Sequence, residues 1–279
     1  MNYRHAFHAG NFADLGKHAI LGRLMRLLTA RPGALTVIDT HAGAGVYDLD
    51  GVEAKRTREA AVDVLMDALN APPVFDGLKA AVRRVNTKDQ RRYYPGSPVL
   101  ISDSLRARDV FLACELRPDD FGALKGALPR QSGAEVLMAD GWAVATDRAP
   151  AAPAPCLVFI DPPFERPDDH AQALAVAAKI LRRNSGAVIV IWVPIKDFAG
   201  FDDFLGRVED AAHGRPILVA ETRLRPLTDP MMMNGCALIV INPPTGLEEP
   251  ARSAVSWVAQ TFGDGSGEGR VSVLGARCN

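Results

Sequence analysis

The chain reads as short apolar runs separated by amphipathic stretches. Seven runs recur: LTVID (35–39), VFLACE (110–115), EVLM (135–138), CLVFID (156–161), AVIVIWV (187–193), ILVAETRL (217–224) and ALIVIN (237–242). Helix-compatible segments separate most of them, notably 119–128, 168–184, 197–212 and 246–261. Near-continuous Val/Ile runs alternating with helices predict a mainly parallel sheet covered on both faces. The loop TDPMMMNG (228–235) is too short for a crossover helix, so the last two runs are expected to pair antiparallel. The expected fold class is α/β: a Rossmann-like, seven-stranded, mainly parallel sheet with an antiparallel pair at its end. The tail GDGSGEG (263–269) has the composition of a flexible linker.

One interval breaks the rhythm. About seventy residues separate LTVID from VFLACE, where a strand–helix–strand step needs roughly thirty. The stretch 48–93 is therefore expected to be an inserted helical subdomain, with 1–47 and 94–279 forming the main domain. YYPGSP (93–98) is turn-rich and marks the return to the main fold.

Composition narrows the class without naming it. The 279 residues are 48% hydrophobic and 23% charged, with a net charge of −1, and suit one large domain or a domain carrying an insert. No apolar run approaches the roughly 18–20 residues that span a bilayer, and no secretory h-region is visible. Cys114, Cys156, Cys236 and Cys278 lie far apart with no CxxC pair. They read as core thiols of a protein in a reducing cytoplasm. The charge is unevenly spread. Residues 1–100 hold fourteen Lys/Arg against ten Asp/Glu, and KAAVRRVNTKDQRR (79–92) holds six bases and one acid. That cluster is either a solvated helix face or a footprint for a polyanion.

Candidate chemistry gathers at strand ends. The first strand runs into DTHAGAGVYD (39–48), where small residues let backbone N–H groups approach a ligand. Gly43 and Gly45 are followed by Asp48 where a dinucleotide fingerprint asks for a third glycine, which weakens a nicotinamide-cofactor reading. Glu115, closing the second core strand, is placed to accept ribose hydroxyls. Asp140, followed by Gly141, is placed to receive an exocyclic amine. The fourth core strand ends in Asp161-Pro162-Pro163-Phe164. The prolines fix the backbone and leave a carbonyl free. Asp161 and that carbonyl make an acceptor pair for an amino group, and Phe164 offers a stacking face. This is the D/N-P-P-Y/F/W element of methyltransferases acting on exocyclic amines of bases. Asn242-Pro243-Pro244 also follows a strand, but Thr245 replaces the aromatic, so it reads as a strand terminator.

These landmarks together resemble the RlmJ-type 23S ribosomal RNA adenine-N6 methyltransferases. The similarity rests on YRHAFHAGNFAD and KH (within 3–18), DTHAGAG (39–45), RYYPGSP (92–98), ADGW (139–142) and DPPF (161–164), and covers nearly the whole chain. It implies a class I methyltransferase using S-adenosylmethionine, with 23S ribosomal RNA as partner, no metal, and a monomeric, cytoplasmic enzyme. It implies that His18, His41, Ser97, Glu115, Asp140, Gly141 and Asp161 surround the cofactor, joined by Gly43 of the tight turn. It also implies that Tyr3, His5, Lys17 and Phe164 face the target adenosine, with Asp161, Pro162 and Phe164 at the reacting centre. Lys17-His18 is expected to open a helix beside the cofactor. The basic cluster, with Arg4, Arg23 and Arg26, is expected to hold RNA phosphates. Phe164 stands where the family commonly has Tyr, and Gly16 replaces a larger aliphatic residue. Rivals are an adenine-N6 methyltransferase of DNA or another RNA, a Rossmann oxidoreductase, and a non-catalytic RNA-binding module. The HxxH pair His5/His8 raises a metal reading, but no cysteine, and no acid apart from Asp14, joins it at ligand spacing.

Overall fold

The structure, a computed structural model, describes residues 8–51, 61–87, 91–128, 133–226 and 234–275. The elements run α1 (Phe12–Thr29), β1 (Thr36–Asp39), β2 (Val46–Asp48), α2 (Ala61–Asp67), α3 (Asp76–Val85), β3 (Tyr93–Pro95), α4 (Ser97–Ser102), β4 (Val110–Cys114) and α5 (Pro118–Ala127). They continue as β5 (Ala134–Leu137), α6 (Gly141–Arg148), β6 (Cys156–Ile160), α7 (Asp169–Arg183), β7 (Val188–Ile195), α8 (Phe198–Ala212), β8 (Ile217–Arg223), β9 (Gly235–Ile241), α9 (Glu248–Phe262) and β10 (Glu268–Leu274).

All seven apolar runs are strands of one sheet, ordered β10-β8-β9-β7-β6-β1-β4-β5. The pairs among β5, β4, β1, β6 and β7 are parallel, and β9 lies antiparallel between β7 and β8. Two expectations need correction. The sheet has eight strands, not seven, because the segment taken for a linker runs into β10, which pairs antiparallel with β8 from Glu268↔Arg223 to Leu274↔Ile217. The antiparallel β8–β9 pair is therefore not at the sheet's edge. β10 escapes the apolar-run signal because its residues are only partly buried or exposed, as suits an edge strand.

Strand residues alternate strictly between two cores. Leu157 and Phe159 face the cluster containing α1 and α9, while Val158 and Ile160 face the cluster containing α7 and α8. Each such side chain, fully buried, contributes on the order of 1.5–3 kcal/mol. This is why the sheet reads as continuous apolar runs. Between β2 and β3, which pair antiparallel through Val46↔Pro95 and Tyr47↔Tyr94, α2 and α3 supply Val62, Leu65, Leu78 and Val82 to the α1 side of the core.

Helix α1 starts earlier than expected. The Asn11 side chain accepts from the N–H groups of Ala13 and Asp14, which fixes the N-terminus five residues before Lys17. Lys17 and His18 thus sit in the second turn, not at the opening. Gly16 lies inside this helix, where a Cβ would meet Thr222 and Val258 only at 3.9 Å.

Candidate functional site

The carboxyl ends of β6, β1 and β4, adjacent strands of the sheet's parallel part, open onto a cleft of about 610 Å3. Ligands of open α/β sheets bind at such an edge. β1 delivers the turn 39–45, held by Ala42 N–H to the Cys114 carbonyl (2.9 Å) and Gly96 N–H to the Gly45 carbonyl (2.7 Å). Gly43 and Gly45 have φ of +64° and +79°, and a Cβ on Gly43 would stand 2.1 Å from the Tyr47 hydroxyl. Tyr47 in turn accepts from Ala44 N–H at 3.2 Å. The glycines let the backbone itself form the cleft wall.

Acidic groups anchor this wall. Glu115 accepts from Gly43 N–H (3.0 Å) and Arg117 N–H (2.7 Å), one bond to each oxygen. Burial raises its pKa, partly countered by those N–H groups. A carboxylate has about four lone-pair sites, so Glu115 keeps acceptor capacity for a ligand. Beneath it Asp39, fully buried, accepts from Ser97 Oγ (2.7 Å) and His41 N–H (3.3 Å). Burial pushes the Asp39 carboxyl up to about 7, against the pull of Ser97. Burial also drives the His41 imidazole down to about 4, with Asp161 and Asp140 opposing. His41 is therefore neutral near pH 7. Its Nδ1 lies 2.8 Å from Thr40 Oγ1, and its ring meets Trp142 edge-on at 4.7 Å.

The opposite wall is charged. Lys17 Nζ sits 2.6 Å from Asp161 Oδ2 and 2.7 Å from Asp14 Oδ1, with Lys17 and Asp14 almost completely buried. Burial alone would lower the Lys17 pKa, but the attraction of Asp14 and Asp161 outweighs it and raises it. Asp14 also accepts from Gly10 N–H at 2.9 Å, tying the segment before α1 to the ion pair. His18 Nδ1 lies 2.7 Å from Tyr94 Oη. Phe164 has φ +51°, a left-handed conformation rare for a bulky residue. Its ring packs 4.6 Å from His170 and 6.0 Å from Trp192.

A family model described as "Ribosomal RNA large subunit methyltransferase D, RlmJ" matches residues 32–274. The chain belongs to this family. The RlmJ-family enzyme "Ribosomal RNA large subunit methyltransferase J" of Escherichia coli (strain K12) is 31% identical over 275 residues, covering 98% of each chain. The Haemophilus influenzae protein of the same description is 28% identical over 272 residues, covering 94% of each. A crystal structure of a protein from Legionella pneumophila str. Philadelphia 1 is 30% identical. It superposes with a TM-score of 0.85, over 95% of this chain and 98% of that one. Membership makes this chain a ribosomal RNA methyltransferase by class.

Of the positions singled out by the RlmJ resemblance, Lys17, His18, His41, Gly43, Ser97, Glu115, Asp161, Pro162 and Phe164 line the one cleft. Asp140 and Gly141 do not line it. Asp140 is exposed and caps α6 by accepting from Trp142 N–H at 2.9 Å. A Cβ on Gly141 would lie 1.9 Å from the Thr40 carbonyl oxygen, so this glycine allows α6 to abut the β1 turn. Tyr3, Arg4 and His5 lie outside the described residues, as does Cys278. Burial raises the Cys114, Cys156 and Cys236 thiols to about 12, as inert core residues require. Among the described residues no group of three or more His, Cys, Asp or Glu is placed to hold a metal, and no helix is long and apolar enough to cross a membrane.

Asn11, Asp14, Asp39 and Tyr94 lie inside the landmark motifs but carried no assigned place in the site, and Trp192 lies in an apolar run with no such signal. Asp14 had a further local signal, its i,i+3 spacing from Lys17. The basic cluster also looks different in three dimensions. Arg84 pairs with Asp103, Arg91 with Asp67, and Arg92 with Asp48, while Lys79 donates to the Ala68 carbonyl at 2.7 Å. Much of its charge is thus compensated by acids distant in sequence. The Asn242 motif ends β9, whose reversed direction puts it at the far edge of the sheet. Its side chain donates there to the Ser185 and Ala187 carbonyls at 3.0 and 2.7 Å.

Proposed function

We propose that this enzyme transfers a methyl group from S-adenosylmethionine to the N6 amino group of an adenine in 23S ribosomal RNA, in the cytoplasm. The observation that carries the reading is the convergence of Asp161, Pro162 and Phe164 with the Gly43 turn and Glu115 in one cleft. The residues present fit such a cofactor. Gly43 presents bare backbone to the cleft, Glu115 keeps lone pairs for ribose hydroxyls, and Ser97 on this wall and His18 on the opposite one supply polar groups. When bound, S-adenosylmethionine supplies an electrophilic methyl group on sulfur.

The chain's own residues prepare the nucleophile. Lys17 engages Asp161 Oδ2 and leaves Oδ1 to accept an N–H of the adenine amine. The Pro162 carbonyl region is the second acceptor. Both contacts draw lone-pair density toward the amino nitrogen. Phe164 stacks the base once it has left its RNA context. The amine needs no prior deprotonation, so no strong general base is assigned. Most of the acceleration comes from holding nitrogen and methyl group in line. Arg26 and Arg83, both exposed, serve as phosphate contacts, and segment 48–93 serves as an RNA-facing subdomain.

The test is incubation with unmodified 23S ribosomal RNA and cofactor, with N6-methyladenosine mapped by mass spectrometry and duplex DNA assayed in parallel. Asp161→Asn is expected to lower the rate by roughly 10²–10³-fold, the scale for losing one preorganised polar contact. Methylation of DNA alone, or an Asp161→Asn enzyme as fast as the parent, overturns the reading.

A further inference from the structure

Beyond Phe164 lies a second cavity, of about 320 Å3. It shares Phe164, Pro194 and Lys196 with the cleft described above, so the Phe164 ring is a wall common to both. The aromatic series continues into it. His170 packs on Phe164, and Phe204 meets His170 edge-on at 5.0 Å. Phe201 joins the lining, and Arg207 stands at the rim. The Arg207 guanidinium has an exposed carboxylate, Asp203, only at 3.9 Å. Lys196 is exposed and its ammonium makes no ion pair among the described residues. The volume sits at the lower end of small-ligand sites.

We propose that this cavity receives the nucleotide next to the target adenosine, its base against the His170–Phe204 aromatics and the linking phosphate at Lys196. The inference rests on the proposed RNA substrate and adds the subsite that binds its neighbour. Three observations support it. A target base drawn out of its stack leaves its neighbour with an uncovered face, which aromatic side chains can cover with little sequence preference. The described residues common to both cavities are an aromatic ring, a proline and a cation, the elements needed where one nucleotide passes to the next. Burial also lowers the His170 pKa, which keeps its ring neutral for stacking near pH 7.

The experiment uses the full chain and a fragment of 23S ribosomal RNA carrying 2-aminopurine on one or the other side of the mapped target. With the parent, fluorescence from one of the two neighbours is expected to be quenched on binding. Asp203→Trp places an indole in the cavity from an exposed position. It is expected to abolish that quenching and raise the KM for RNA roughly tenfold, with kcat and calorimetric cofactor affinity at parental values. Lys196→Gln is expected to raise the KM for RNA and flatten its salt dependence. Unaltered fluorescence at both neighbours on a fragment the parent methylates, or a parental KM in both variants, overturns the inference alone. A parent that binds cofactor but methylates no ribosomal RNA fragment refutes the proposed function, and the subsite with it.

Discussion

Replacing Asp39 by Asn should make the protein less sensitive to alkaline pH. Asp39 is completely buried beneath the Gly43–Glu115 wall of the cleft and raised by burial from 3.8 to about 7. In the unfolded chain the carboxyl loses its proton near pH 4, and in the folded chain only near pH 7. Between those values the folded state binds more protons, so stability falls as pH rises. A tenfold difference in proton affinity between the two states is worth about 1.4 kcal/mol. Relative to an unshifted carboxyl, Asp39 then destabilises the fold by about 1.7 kcal/mol at pH 5 and about 4 kcal/mol at pH 8. Asn keeps the shape, can accept from His41 N–H through Oδ1, and can donate to Ser97 Oγ. Urea unfolding of parent and Asp39→Asn at pH 5 and pH 8 tests this. The difference in unfolding free energy should move by about 2.5 kcal/mol in favour of the variant between the two pH values. A difference independent of pH would show that Asp39 titrates normally and that its burial carries no such cost.

Three further substitutions probe the framework. Lys17→Met leaves Asp14 and Asp161 facing each other without their cation, and should cost about 3–5 kcal/mol in chemical denaturation. Gly141→Ala drives a Cβ into the Thr40 carbonyl, so a lowered urea midpoint and a raised cofactor Kd are expected together. Gly16→Ala fills space 3.9 Å from its neighbours and should raise the unfolding free energy by about 0.5–1 kcal/mol, the helix penalty of glycine relative to alanine.

The parallel core was legible because its strands are buried on both faces and so announce themselves as unbroken apolar runs. β10 was not, since an edge strand buries little and its glycines mimic a linker. The Asp161 motif was legible because four consecutive residues carry its chemistry. The supporting groups were not, because their partners are remote: Asp39 meets Ser97 across 58 positions, Lys17 meets Asp161 across 144, and His18 meets Tyr94 across 76. The basic cluster misled for the same reason. Asp48 and Asp103 lie outside it in sequence and beside it in space.

The short β2–β3 ladder has a practical corollary. Its last rung, Val46↔Pro95, is followed by the Gly96 N–H bond to the Gly45 carbonyl, so the two ends of the intervening chain are stapled together at the 39–45 turn. What hangs from the staple is also held from behind, because Val62, Leu65, Leu78 and Val82 belong to the core around α1, so only its exposed positions can vary while the turn keeps its shape. The same staple works as a lever. A load on the 48–93 segment reaches Gly43 and Gly45 through two strands only three residues long, which couples whatever grips that segment to the geometry of the pocket floor.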